Sequence, residues 1–254
     1  MPTAVRLIGA GLLTAALTTA LVTRPSISAS TPTGWPSVDL PPQAEAFSIS
    51  DHMSSNGVPM RVSGFVAKQN MSDTVAWFKA KLGEPLMEDR VGDKTVLGRP
   101  DGDYYLTVQI EPSDTGVRGL IATSDMRQAL TQREQARKNQ DAWARDLPAD
   151  TRIVNLMSSQ DDGKTSTYLV ASNQQSDALN AERATRALQQ RGFVVERSVT
   201  LEKGALVDGI RIEMSGKGVL FKSADREATV LAFHEPSGKA AIVINTVILT
   251  GRAP

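Results

Sequence analysis

Residues 53–57 read Met-Ser-Ser-Asn-Gly, and the triplet Met53-Ser54-Ser55 returns as Met157-Ser158-Ser159, 104 residues later. Self-similarity at a fixed offset indicates an internal repeat, so we interpret the chain as a duplicated module. Three more matches support it: Val66-Ala67 with Val170-Ala171 and Ser72-Asp73 with Ser176-Asp177 at the same offset, and Glu111-Pro112-Ser113 with Glu235-Pro236-Ser237 at an offset of 124.

Local patterns in both copies predict the same order of elements. Asn-Gly and Asp-Gly pairs favour tight β-hairpin turns, and they stand at Asn56-Gly57 and at Asp162-Gly163. A serine suited to capping a helix follows each hairpin, first Ser72 and then Ser176. Runs of apolar and β-branched residues come next in each copy, as antiparallel strands require. The sequence therefore predicts a hairpin, a helix and further strands, twice.

The expected fold class is α+β: two tandem related modules, each an antiparallel sheet with one helix packed on a face, joined by a polar connecting helix. The strand runs hold too few helices between them for a parallel α/β sheet. The expected organisation is a signal peptide or N-terminal anchor over 1–30, a Pro-rich linker over 31–46, a first module over 47–125, a connecting helix over 126–150, and a second module over 151–250 with an insertion near 193–216.

The first thirty residues have the features of an export signal. Arg6 gives a positively charged start, an apolar run extends over 7–22, and Ser28-Ala29-Ser30 offers small residues for signal peptidase. The run is shorter than the roughly 20 residues of a transmembrane helix. We therefore expect a periplasmic or secreted protein, the alternative being an uncleaved inner-membrane anchor with the bulk of the chain in the periplasm.

Composition argues against several kinds of site. Lys plus Arg and Asp plus Glu both count 28, so no net charge attracts nucleic acid. The chain contains no cysteine, which removes disulfides, thiolate metal ligands and cysteine nucleophiles. A zinc site built from two histidines would have to rest largely on carboxylates. We expect no metal and no cofactor.

Neither histidine stands in a catalytic pattern. His52 lies close to Ser54 and Ser55, and His234 precedes Glu235. A triad also needs an orienting acid and an oxyanion hole, for which the sequence shows no signal. The residues shared by the two copies are of types that cap helices and make turns. The sequence favours a protein that is not an enzyme.

Trp77 is the candidate binding residue. It falls on a predicted helix whose apolar stripe is Val75, Phe78 and Leu82. At about 100° per residue, Trp77 points about 200° away from Val75. We expect either another part of this protein or a partner to cover its ring.

The predicted function is that of an exported, non-enzymatic envelope protein that binds other proteins, as an accessory of a secretion or pilus assembly. The expected partners are other envelope proteins or a second copy of the chain. We expect no nucleic acid, and membrane contact only through the N-terminal anchor. Two alternatives stay open: a periplasmic hydrolase-type enzyme working around His52 or His234, and a small-ligand binder that uses the cleft between the modules.

Overall fold

The computed structural model describes residues 34–203, 206–207, 210–211, 214–234 and 238–249. The expected signal segment over 1–30 and the repeated triplet Glu235-Pro236-Ser237 lie outside these residues. The chain divides into two compact units. Of the described residues, unit 1 contains 34–53 and Val58–Thr131, and unit 2 contains Ser54–Gly57 and those from Gln132 onward.

The elements follow one another along the chain as β1 (Glu45–Ser55), β2 (Val58–Ala67), α1 (Met71–Leu82), β3 (Met87–Val91), β4 (Lys94–Asp101), β5 (Tyr104–Ser113), β6 (Gly116–Asp125), α2 (Met126–Asp146), β7 (Arg152–Asp161), β8 (Lys164–Asn173), α3 (Asp177–Gln190), β9 (Val195–Leu201), β10 (Leu206–Val207), β11 (Ile210–Arg211), β12 (Gly216–Lys222), β13 (Arg226–His234) and β14 (Ala240–Leu249).

One antiparallel sheet takes up twelve of these strands, in the order β3-β4-β5-β6-β2-β1-β7-β8-β14-β13-β12-β9, while β10 and β11 pair separately. The expectation of two separate modules, each with its own sheet and helix, is therefore wrong. The physical reason lies at the end of β1. Ser54 and Ser55 belong to unit 2, where β1 pairs with β7. The hydrogen-bond ladder thus runs from a strand of the first predicted module to a strand of the second.

In unit 1, α1 packs on β4, β5 and β6. Strand side chains alternate between the two faces of a sheet, so Leu106, Val108 and Ile110 of β5 are buried on one face. Phe78 and Leu82 of α1 belong to the same core cluster. The expected N-cap, Ser72, is wrong: the Asn70 side chain caps α1, accepting a hydrogen bond from the Asp73 amide at 2.9 Å.

In unit 2, α3 packs on β12, β13 and β14. Ser176 caps α3, as the sequence predicts. Leu188 of α3 is buried in one cluster with Val230 of β13 and Ile242 of β14. Asn180 of α3 exchanges side-chain hydrogen bonds of 2.8 and 3.0 Å with Asn173 of β8, which pairs the amides and fastens the start of α3 to the sheet.

Residues 34–44, which precede β1, pack on the rest of unit 1. The Trp35 ring lies 5.2 Å from the Tyr104 ring, and the Arg61 guanidinium lies 4.8 Å from the centre of the Trp35 ring. Val38 and Leu40 pack against the core cluster of unit 1. The contacts with Tyr104 and Arg61 place the Trp35 ring on the protein's own surface.

Candidate functional site

A groove with a volume of about 410 Å³ runs between α1 and β3 in unit 1. Helix α1 forms one wall, β3 forms the other, and β4 contributes one buried threonine. The lining residues are Met71, Ser72, Val75, Ala76, Lys79, Glu88, Arg90 and Thr95.

The spacing of residues along α1 and along β3 explains which side chains line the groove. Residues 71, 72, 75, 76 and 79 of α1 recur at helical spacing and so share one side of the helix. Glu88 and Arg90 are two apart on a strand, so their side chains share one face. The Lys79 ammonium pairs with the Glu88 carboxylate at 2.5 Å and joins the walls. The result is a groove with an apolar helical wall and a charged strand wall.

Strand β3 is an end strand of the sheet. Among the residues that the structure describes, only β4 pairs with it. Its two-residue turn begins at Gly92 with a φ of 61°, which suits a type II′ hairpin, so Val91 and Lys94 form a hydrogen-bonded pair. Because such pairs alternate along the ladder, the peptide groups of Glu88 and Arg90 point away from β4.

The outward amide of Arg90 has a local partner. It donates to the Asp89 carboxylate at 2.8 Å instead of joining the β4 ladder. The Arg90 guanidinium is exposed and makes no ion pair with any residue of the described ranges. The strand wall therefore offers an edge of the sheet and one cation without a counter-ion.

Unit 2 contains a second concave site, with a volume of about 260 Å³. It is formed by the 54–57 hairpin turn, the second half of α2, β7 and β8, together with an arginine that follows α3. The residues that line it are Ser54, Asn56, Gly57, Ala136, Asn139, Gln140, Ala142, Trp143, Leu156, Ser158, Thr167 and Arg191.

Trp77 lies half-buried at the margin of the unit 1 core and packs against its cluster. Its ring meets the Phe78 ring edge-on at 5.0 Å, and the Lys81 ammonium lies 5.6 Å from its centre. Lys81 also pairs with Asp39 at 3.4 Å. Intramolecular contacts therefore hold this side of α1, while a partner contact at Trp77 stays a prediction.

The two histidines, His52 and His234, are exposed, and neither lines the groove or the cavity. Across the described ranges, no three His, Asp or Glu side chains are grouped so that they could hold a metal ion. In the same part of the chain, no helix is both long and apolar enough to cross a membrane.

A cluster of charges lies across β4, β5 and β6. The Glu111 carboxylate accepts from Lys94 at 2.9 Å and from the Arg118 guanidinium. Burial alone raises the pKa of Glu111, but the hydrogen bonds and charges of Lys94 and Arg118 outweigh it and hold the pKa below its ordinary value. The cluster therefore favours the ionised carboxylate in the folded protein.

Strand β3 was missed in the sequence because Met-Glu-Asp-Arg-Val lacks the apolar alternation of a half-buried strand. Four of its five residues are exposed, as an edge position allows. A usable signal did exist. Gly92-Asp93 stands immediately before Lys94, where β4 begins, and a Gly-first turn pair in that position indicates a hairpin with a preceding strand.

No protein-family model matches this chain, and no curated protein matches its sequence.

Proposed function

We propose that this chain is an exported, non-enzymatic protein of the cell envelope that binds another protein by strand addition at β3. The observation that carries the proposal is the groove between α1 and the open edge of β3. Strand addition needs outward peptide groups on an end strand and nearby space for alternate side chains. Glu88 and Arg90 supply the first, and the groove supplies the second.

The chemistry of the groove defines the segment that fits it. An added strand places every second side chain towards the groove, where Met71, Val75 and Ala76 offer an apolar wall. Arg90 favours an acidic side chain opposite it, because its own guanidinium has no counter-ion in the described part of the chain. The proposed partner segment is therefore extended, with alternating apolar residues and at least one carboxylate.

Contacts within the protein disfavour non-specific strand pairing at the edge of β3. Exposed charges and bonded edge amides discourage aggregation of end strands. Here the Asp89 carboxylate occupies the Arg90 amide, and Glu88 is paired with Lys79. A partner must displace the Asp89 carboxylate, which favours a segment that supplies its own backbone acceptor and a compensating charge.

A crosslinking experiment tests the proposal. A photoactivatable residue at position 87, where the Met87 side chain is 66% exposed, should crosslink an envelope protein in intact cells. Arg90→Pro removes the outward N–H without taking a donor from the β4 ladder, so the product should disappear. Arg90→Ala keeps the amide and loses the charge, so the product should become weaker.

Arg133→Ala, on the exposed surface of α2, is the matched control and should leave the product unchanged. Circular dichroism should show the same fold in all variants. A product of equal yield with Arg90→Pro contradicts the proposal, and so does the absence of any product from the chain whose one change is the photoactivatable residue at position 87.

A further inference from the structure

The second half of α2 belongs to unit 2, and its side that lines the cavity carries two amide side chains. None of its side chains, all within the described ranges, is buried. The residues facing the cavity recur at helical spacing, and Asn139 and Gln140 occupy its middle, between Ala136 and Trp143. Apolar residues at these positions would let a helix pack down on a sheet. With amides at these positions, a space remains between α2 and strands β7 and β8.

Two close contacts fix the distance between the second half of α2 and the sheet. Gly57 approaches Ala136 so closely that a Cβ at position 57 would lie 2.1 Å from the Ala136 Cβ, and Gly57 also has a φ of 82°. At the other end, Trp143 packs against the unit 2 core cluster beside the buried Leu147. The cavity of about 260 Å³ lies between these supports.

Three hydroxyl groups and the Leu156 side chain line the sheet side of the cavity. Ser158 and Thr167 are paired across β7 and β8, and the Ser54 hydroxyl lies 2.9 Å from that of Ser158. Ser158 is exposed, so water reaches this wall. Each hydroxyl can both donate and accept.

The facing amides are each partly engaged: Gln140 donates to the Asn56 side-chain carbonyl at 3.1 Å, and the Asn139 carbonyl accepts from Gln135 at 3.0 Å. A ligand would therefore bond to the Asn139 NH2 group and the Gln140 carbonyl.

The cavity contains no unbalanced charge. The guanidinium of Arg191 lies 4.2 Å from the centre of the Trp143 ring and pairs with the Asp146 carboxylate at 2.6 Å. It also donates to the Ala187 carbonyl at 2.7 Å. Because its charge and donors are already engaged, Arg191 stabilises one wall of the cavity and gives no reason to expect a bound anion.

We propose that this cavity binds a neutral polyhydroxylated molecule of about the size of a monosaccharide. Hydroxyls on one wall and amides on the other match a ligand whose groups donate and accept in turn. The cavity volume lies just below the roughly 300 Å³ at which pockets for drug-sized ligands begin. The cavity is therefore too small to enclose a long oligosaccharide. The site is separate from the groove at β3, so the two proposals stand or fall independently.

Titration of isotope-labelled protein with glucose, galactose, mannose and N-acetylglucosamine tests it by NMR. At least one sugar should give saturable shifts in the side-chain amides of Asn139 and Gln140 and in the Trp143 indole. Thr167→Val keeps the shape and removes one hydroxyl, so binding should weaken by about three- to tenfold. Gln132→Ala, on the exposed part of α2, should leave affinity unchanged.

Three results would overturn the proposal. No saturable shift with any of the four sugars excludes the ligand class. In a parallel titration with glucose 6-phosphate, saturable shifts with that compound and with none of the four sugars would show an anion site instead. Equal affinity in Thr167→Val, with an unchanged spectrum of the free protein, places the sugar outside the cavity.

Discussion

The hydroxyl oxygens of Ser54 and Ser158 lie 2.9 Å apart, although 104 residues separate them in the chain. The same offset relates Met53-Ser54-Ser55 to Met157-Ser158-Ser159, so each serine meets its own counterpart in the repeat. The amide of Asn56 adds a backbone hydrogen bond to the Leu156 carbonyl at 2.8 Å. The repeated residues therefore lie where β1 continues the sheet into β7.

The serine pair should contribute little to stability by itself. Both side chains are at least partly accessible to water, so Ser54→Ala or Ser158→Ala should each cost no more than about 1 kcal/mol. The double variant should cost less than the sum of the singles, since the same hydrogen bond is lost once. Urea unfolding measures all three, and strict additivity would show that the hydroxyls do not interact in solution.

The buried amide pair of unit 2 should matter more. Asn180 is fully buried and Asn173 is 5% exposed, so Asn180→Ala removes two buried hydrogen bonds. Asn173 then keeps its bonds to the Thr151 hydroxyl and the Gln175 amide. We expect a loss of about 1–3 kcal/mol in the free energy of unfolding. Asn139→Ala replaces an exposed amide and is the matched control, with an expected change of about 0.5 kcal/mol or less. Equal effects at the two positions would contradict the buried pair.

Glu111 should make the stability of unit 1 depend on pH. Its pKa is lower in the folded than in the unfolded chain, so its contribution is fully present above the unfolded pKa and is lost as the pH falls through the folded one. Glu111→Gln should therefore reduce stability at neutral pH by about 1 kcal/mol and flatten its decline in acid. Glu134→Gln, exposed on α2, should retain the slope of the unsubstituted protein.

Gly64 of β2 leaves room for the Phe47 ring. A Cβ at position 64 would lie 2.1 Å from the Phe47 Cζ atom, so the ring must move in Gly64→Ala. We expect a cost of about 1–3 kcal/mol from this overpacking. Adding Phe47→Ala should cancel much of the Gly64→Ala effect, because the clash is then absent. Thermal unfolding of the single and double variants decides it, and additive losses would argue against the contact.

Local chemistry in the sequence predicted the turns and one cap correctly. Asn56-Gly57 and Asp162-Gly163 form hairpin turns with positive φ at all four residues, and Ser176 caps α3. These features depend on neighbouring residues, which a single sequence displays. Asn70 caps α1 in place of Ser72. Asn and Ser side chains are both favoured N-caps, so the sequence alone does not decide which of the two residues caps the helix.

Features that depend on distant pairing could not be predicted in this way. No local pattern distinguishes a strand edge that meets solvent from one that pairs with a strand a hundred residues away, so β1 joining β7 was missed. The groove depends on β3, whose charged residues resemble a loop. The cavity depends on Asn139 and Gln140 facing the sheet, which the polar sequence of α2 does not mark as different from its solvent side.

Trp77 offers a direct test of what covers its ring. Val38 and Leu40 pack against the same core cluster as Trp77, and Asp39 pairs with Lys81, whose ammonium lies 5.6 Å from the centre of the ring. We expect the segment before β1 to cover part of the ring. Trp77→Ala should therefore lower stability by roughly 2 kcal/mol and the Tm by about 4–8 °C, because a half-buried indole loses apolar contact. Trp77→Phe should recover part of the loss, and crosslinking at position 87 should be unaffected, since Trp77 does not line the groove. An unchanged Tm with loss of the crosslinked partner would assign the ring to a protein interface instead.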